Sequence, residues 1–257
     1  MLKIHLAGCW SRSQVTVHRT GSARRIVPQV ESAIDTAWAS ALSRPGVHLF
    51  DGPQCRLESW TADATRLQLA LSPSTYKIFL GTNMANPQFT AQFGPEVMAN
   101  PLGVSPALMT ADHHLLLGCR SAAVAYHPNR VHPFAGCMEP DDADPFETVL
   151  RELKEELSIA PEEITQLHCI GLAEDLQLHQ PELVFSAITN QTKSQIQSRL
   201  DLLEHRSIWS IPAETDAVET AVSLDNRLTP IAAASLLLWG RLNAGQDWFD
   251  RAGTRIR

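Results

Sequence analysis

The chain has 257 residues, enough for one large domain or two small ones around a substantial core, and its 44% hydrophobic and 19% charged content is that of a folded globular protein. A formal net charge of -7 without any block of basic residues argues against general nucleic-acid binding, because such a surface repels a phosphate backbone. A small phosphorylated ligand stays open, since metal ions can offset a negative field locally.

Cys9, Cys55, Cys119, Cys137 and Cys169 are odd in number and lack C-x-x-C or zinc-ligand spacing, so free thiols in a reducing compartment are expected. The N-terminal MLKIHLAG is too short and polar for a signal peptide, and the longest apolar run, 231–240, is about half a membrane span. The expectation is a soluble, cytoplasmic protein with no membrane partner.

In chain order, residues 2–7 and 14–18 read as strands. Residues 27–42 carry Val30, Ala33, Ile34, Ala37, Trp38 and Leu42 at helical spacing, and Pro45-Gly46 ends the run. Segments 47–50, 55–60 and 66–71 are again strand-like. Residues 1–75 are therefore expected to form a strand-rich lobe with one helix, packed without a linker on a domain spanning 76–257. In that domain 78–81 is a short apolar piece, and 102–109 and 115–119 flank a hairpin turn at Thr110-Ala111-Asp112-His113. Further strands are expected at 167–172, 183–188 and 207–211, with helices at 145–157, 191–203, 213–222 and 229–242. Strands with helices between them predict an α/β (α+β) sandwich in which helices cover a mixed sheet.

The helix at 145–157 carries the chemistry. Asp144 can cap it, Pro145 suits its first position and Glu147 completes a capping box. Phe146, Val149, Leu150, Leu153 and Leu157 make its apolar stripe. Glu152, Glu155 and Glu156 stand at i, i+3 and i+4, so three carboxylates are expected to share one patch. Their repulsion is relieved by a hard divalent cation such as Mg²⁺, which takes oxygen ligands. The plainer alternative is a solvated helix face with ordinary i,i+4 pairs, Glu147 with Arg151 and Arg151 with Glu155.

The wider context favours the metal site. Gly136 lies fifteen residues before Arg151, in Phe134-Ala135-Gly136-Cys137-Met138-Glu139-Pro140, and glycine there allows a turn and a close ligand approach. The stretch 136–159 resembles the Nudix box, a glycine followed by acids and then R-E-U-x-E-E-x-G-U with U aliphatic; here 151–159 reads R-E-L-K-E-E-L-S-I. Ser158 stands in place of the usual glycine, and the segment between Gly136 and Arg151 is one residue longer than standard. The early glutamate that orients the arginine has no match: Ala143 stands at its distance, so Asp142 or Asp144 must substitute. Residues 49–52, 79–83, 101–104 and 110–112 resemble landmarks of the UDP-glucose/UDP-galactose diphosphatase branch, and the likeness continues through Glu182 and Glu204 to the last helix.

The resemblance implies a Nudix α/β/α sandwich. It implies hydrolysis of the pyrophosphate bond of a nucleoside diphosphate sugar, UDP-glucose or UDP-galactose, with Mg²⁺ as cofactor and Mn²⁺ as the other option. Glu152, Glu155, Glu156 and the backbone carbonyl of Ala135 are then the metal ligands, Gly136 lies against the substrate, and Arg151 orients the carboxylates. A box glutamate (Glu155 or Glu156), Glu182 or Glu204 is the candidate general base. Arg120 either meets a phosphate through its bidentate fork or faces solvent, and Asn83 either contacts substrate or is a turn residue. ADP-ribose or a dinucleotide as substrate, or a non-catalytic nucleotide-binding module, are the competing readings, and a homodimer stays open.

Overall fold

A computed structural model of the protein describes residues 1–44, 49–201 and 204–254. The elements run β1 (Leu2–Trp10), β2 (Val15–Arg19), α1 (Pro28–Leu42), β3 (Pro53–Ala62) and β4 (Leu67–Thr75). A short helix α2 (Tyr76–Phe79) continues as a wide π turn (Leu80–Met84), followed by α3 (Phe89–Phe93). Then come β5 (Gly103–Met109), β6 (His114–Arg120), β7 (Val131–His132), β8 (Gly136–Cys137) and α4 (Pro145–Leu157). The chain closes with β9 (Ile164–Asp175), β10 (Gln180–Thr189), α5 (Lys193–Gln197), β11 (His205–Pro212), α6 (Thr215–Leu224), α7 (Pro230–Ala244) and α8 (Gln246–Gly253).

The large mixed sheet has the order β1-β9-β10-β5-β6-β11, with β10 and β5 parallel and the other pairs along it antiparallel. Because side chains alternate across a strand, β5 serves two cores: Val104 and Leu108 face one, Ala107 the other. The first core joins the sheet to α4 and to a smaller sheet, β2-β4-β3, through Leu57, Leu69, Leu116, Phe146, Val149 and Phe185. The second joins it to α6, α7 and α8 through Leu117, Val184, Leu238, Trp239 and Trp248. The result is the expected α/β/α sandwich, with an added small sheet.

The first strand crosses the predicted division at residue 75. β1 is the edge strand of the large sheet, paired antiparallel with β9 from Leu2↔Asp175 to Trp10↔Cys169, so its backbone groups are satisfied by the other part of the chain. The predicted helix at 191–203 shrinks to α5, although Thr192 and Gln195 do form its capping box; residues 202 and 203 lie outside the described residues. The predicted helix end at Pro45-Gly46 and half of the strand at 47–50 also lie outside them, and Leu49 and Phe50 have no regular structure. α8 was not anticipated.

One irregularity of the sheet makes room for a site. β5 and β6 pair only at Leu108↔Leu116 and Met109↔Leu115. Beyond that point β5 pairs with β8 and β6 with β7, so the sheet forks. β8 lies on one limb of the fork, immediately before the loop to α4.

Candidate active site

The start of α4 follows from local chemistry. Asp144 accepts the Phe146 and Glu147 amides at 2.9 and 3.0 Å, and Pro145 needs no partner at the first position. The capping box is displaced by one residue: Glu147 accepts the Ala143 amide (2.8 Å), not that of Asp144. Phe146, Val149, Leu153 and Leu157 are buried, which fixes how the helix is rotated. At its C-terminus Ser158 is left-handed (φ 52°, ψ 34°), and the Ile159 amide reaches the Leu153 carbonyl at 3.2 Å.

The partner of Arg151 is Asp142. Arg151 Nε and Nη2 each lie 3.1 Å from one of its carboxylate oxygens, and Nη2 also donates to the Cys137 carbonyl at 3.2 Å. Asp142 further accepts the Glu139 amide (2.9 Å) and the Thr148 hydroxyl (3.0 Å). Burial raises its pKa, but the Arg151 hydrogen bonds, the Glu139 amide and the Arg151 charge together hold it below the usual carboxylate range. Asp144, the other candidate, is occupied by the helix amides and by Arg12 Nε at 2.6 Å.

The three glutamates are close enough for Glu152 to feel the charges of Glu155 and Glu156, but they differ in burial. Glu155 and Glu156 are adjacent and so stand about 100° apart around the helix. Glu155 is mostly exposed, its carboxylate 3.5 Å from Arg151 Nη1. Glu152 turns inward, accepts Arg151 Nη1 at 2.7 Å, and packs so closely on Gly136 that a Cβ there would overlap its carboxylate. Burial pushes Glu152 up to about 8; Arg151 opposes this, and Glu156 and Glu155 add to it. Glu156 is buried and pushed well above its ordinary value by burial and then by Glu204. Among the described residues its Oε2 has no hydrogen-bond partner, while Oε1 lies 3.3 Å from Nε2 of His205.

His205 opens β11 and is fully buried, its ring edge-on to Phe134 with centroids 4.9 Å apart. Burial and then the Arg120 charge lower its pKa to about 4, so the imidazole is neutral. Ligand atoms of Glu156, Glu204 and His205 lie within 4.8 Å of one another, the one such cluster of three among the described residues. A buried carboxylate that resists ionisation, with an oxygen that no described residue partners, fits a divalent cation, which would stabilise its charged form.

The remaining predicted residues divide between the fork and elsewhere. Ala135 and Gly136 lie at β8, half-buried. Glu182, buried at the start of β10, accepts the Ser105 hydroxyl, and burial pushes it up to about 7. Arg120 does not face solvent: it is buried, with its guanidinium carbon 4.7 Å from the centre of the Tyr126 ring. Tyr126 feels the charges of Glu182, Arg120 and Glu204, which places it among them. Asn83 is engaged by backbone groups. It is fully buried, donates to the Leu178 and His179 carbonyls (2.8 and 3.1 Å) and accepts the Ala99 amide (3.1 Å), so it ties loops together.

Tyr126, Cys137 and His205 were not singled out in the sequence; His205 follows Glu204 directly, which is the only signal that it carried. All five cysteines are free thiols. Cys137 is raised by burial and by Glu182 and Glu152, so it is unreactive as a thiolate. A cavity of about 260 Å³ beside α4 is lined by Gly52, Gln54, Tyr76, Cys137, Glu139 and Glu152. A larger one of about 830 Å³, at Met1, Arg130 and Asp225, touches none of the α4 acids. No helix of the described residues is long and apolar enough to cross a membrane.

Residues 100–225 match the NUDIX domain. The uridine diphosphate glucose pyrophosphatase NUDT22 of Bos taurus is 32% identical over 58% of this chain and 62% of its own length, so that alignment spans less than two thirds of the relative. The Mus musculus protein of the same name is 27% identical over 91% of this chain and 88% of its own length. Among solved structures, a mutT/nudix family protein from Listeria innocua is similar at 18% identity, covering 59% of this chain and 98% of that one, with a TM-score of 0.42.

Proposed function

We propose that this chain, whose residues 100–225 match the NUDIX domain, hydrolyses the pyrophosphate bond of a nucleoside diphosphate sugar, UDP-glucose or UDP-galactose, to UMP and a sugar 1-phosphate. The observation that carries the substrate is the similarity to the mouse relative named for UDP-glucose, which runs through 91% of the chain and so takes in both the small sheet and the domain.

Glu152 and Glu156, with Glu155 and the carbonyl of Ala135, would hold Mg²⁺ or Mn²⁺. Such an ion, when bound, polarises phosphoryl oxygens and lowers the pKa of water. The protein's own groups do the rest. Asp142 holds Arg151, and Arg151 in turn holds Glu152 against Gly136, so the carboxylate is in place before substrate arrives. Buried Arg120, whose charge acts on both Glu156 and Glu182, is the fork for a substrate phosphate. Glu182 is the group that takes and returns a proton near neutrality, because a base is most effective when its pKa is close to the working pH. Glu204 is the alternative base, at the exposed mouth of the site.

The test is product analysis after incubation of UDP-glucose with Mg²⁺ in ¹⁸O-labelled water. The expected products are UMP and glucose 1-phosphate, with the label on one of them marking the phosphorus attacked, and no turnover by Glu156→Gln. Rapid ADP-ribose hydrolysis with inert UDP-glucose would overturn the substrate assignment.

A further inference from the structure

We infer that His205 is a nitrogen ligand of the divalent ion, so that Glu156, Glu204 and His205 form a mixed imidazole–carboxylate centre that prefers a first-row transition ion to Mg²⁺. The inference rests on α4 being the metal helix, since it borrows Glu156 from it.

Three observations converge on this. First, these three side chains bring ligand atoms within 4.8 Å of one another. Bonds of about 2.0–2.2 Å place ligands across one small cation about 4 Å apart, so little movement would close the set. Glu152 and Glu155, on the same helix, are outside that cluster. Second, Glu156 is nine-tenths buried and its Oε2 has no partner among the described residues. Such an atom in a native protein calls for an unplaced partner, and an ion is one.

Third, the imidazole is seated by its surroundings. Gly118 of β6 leaves the space that the ring fills: a Cβ there would overlap Nδ1. Phe134 closes another side at 4.9 Å between ring centres. With Nδ1 turned toward Gly118, Nε2 is the nitrogen presented to the carboxylates. Imidazole is a good ligand for transition ions and a poor one for magnesium, which keeps to oxygen.

The test uses Mn²⁺ as probe and reads coordination, not turnover. The full-length protein is loaded with Mn²⁺ and its electron spin-echo modulation is recorded with histidine at natural abundance and with ¹⁵N-histidine. The expected result is a directly bound nitrogen coupling that changes with ¹⁵N and disappears in His205→Asn, with Mn²⁺ affinity about tenfold or more weaker in that variant. The labelled wild-type measurement keeps the test decisive should the buried substitution prevent folding. An oxygen-only spectrum, or a nitrogen coupling retained in folded His205→Asn, overturns the inference. If Mn²⁺ binding is then still lost in Glu152→Gln, the α4 metal site stands without His205; if wild-type protein binds no Mn²⁺, the metal site itself fails with it.

Discussion

Arg151 and Asp142 meet through a two-pronged contact, Nε and Nη2 each 3.1 Å from a different carboxylate oxygen. Asp142 is buried and Arg151 about a quarter exposed, so the contact is shielded from solvent on the acid's side. Asp142→Asn keeps the shape and removes the charge. It is expected to destabilise the fold by about 1.5–3 kcal/mol, the worth of hydrogen bonds to a charged group. Turnover should fall about 10- to 100-fold, the usual effect of losing a group that orients a metal ligand. Urea unfolding with an unchanged slope and steady-state hydrolysis of UDP-glucose check the two numbers; a variant as active as the parent contradicts the positioning role.

Gly136→Ala tests the same carboxylate from its other side. The added methyl occupies the place of the Glu152 carboxylate, so the side chain must leave the pocket or β8 must shift. Activity is expected to fall at least about 100-fold, as displacement of a reacting group by about 1 Å does. Far-ultraviolet circular dichroism should remain that of the parent.

The site acids link stability to pH. Glu152 and Glu182 are pushed up to about 8 and about 7 in the folded chain from a usual 4.5. Over that interval the folded state holds protons that the unfolded chain has released, so the stability they confer is present at low pH and lost as pH rises through the folded values. In chelator, Tm should therefore fall between about pH 5 and about pH 9. Divalent cation should restore more of it at the upper end than at the lower, because there it no longer competes with a proton. Calorimetric scans with and without Mg²⁺ check this; a Tm in chelator that does not fall contradicts it.

Glu182→Gln separates proton transfer from structure. The amide keeps an acceptor for the Ser105 hydroxyl but cannot titrate. The limb of the kcat/KM profile near pH 7 should vanish, together with about 100-fold or more of the rate. If the limb persists, the base lies elsewhere, and Glu204→Gln is the next variant to measure.

Ser158 holds a left-handed backbone at φ 52°, a conformation that favours glycine. Ser158→Gly should stabilise the protein by about 1 kcal/mol, since a left-handed β-carbon costs roughly 1–2 kcal/mol and glycine's extra freedom in the unfolded chain takes back part of that. Tm is expected to rise by roughly 2–4 °C for a chain of this size, with activity unchanged.

Much of the site was legible from short stretches of chain. The bounds of α4, its Asp144 cap and its apolar stripe depend on partners within a few residues, and the structure has them at 145–157. The burial of Arg120 and Asn83 was not legible, because the residue type alone does not say which contacts a strand end or a helical turn will find in the interior. The proximity of Glu152, Glu155 and Glu156 was legible from their spacing, but their different burial was not. Spacing on a helix wheel gives proximity, but the packing of Phe146, Val149 and Leu153 decides which way each acid points.

By itself the sequence determined the catalytic-type helix, the glycine before it and the likeness to a nucleotide-sugar diphosphatase, all features carried by local spacing and residue type. The tertiary structure alone decided that Asp142, and not Asp144, holds Arg151; that β1 pairs with a strand more than 150 residues away; and that His205 meets Glu156. Capping and periodicity act over a few residues, whereas these contacts join distant segments that only the packing of the sheet and its two cores brings together.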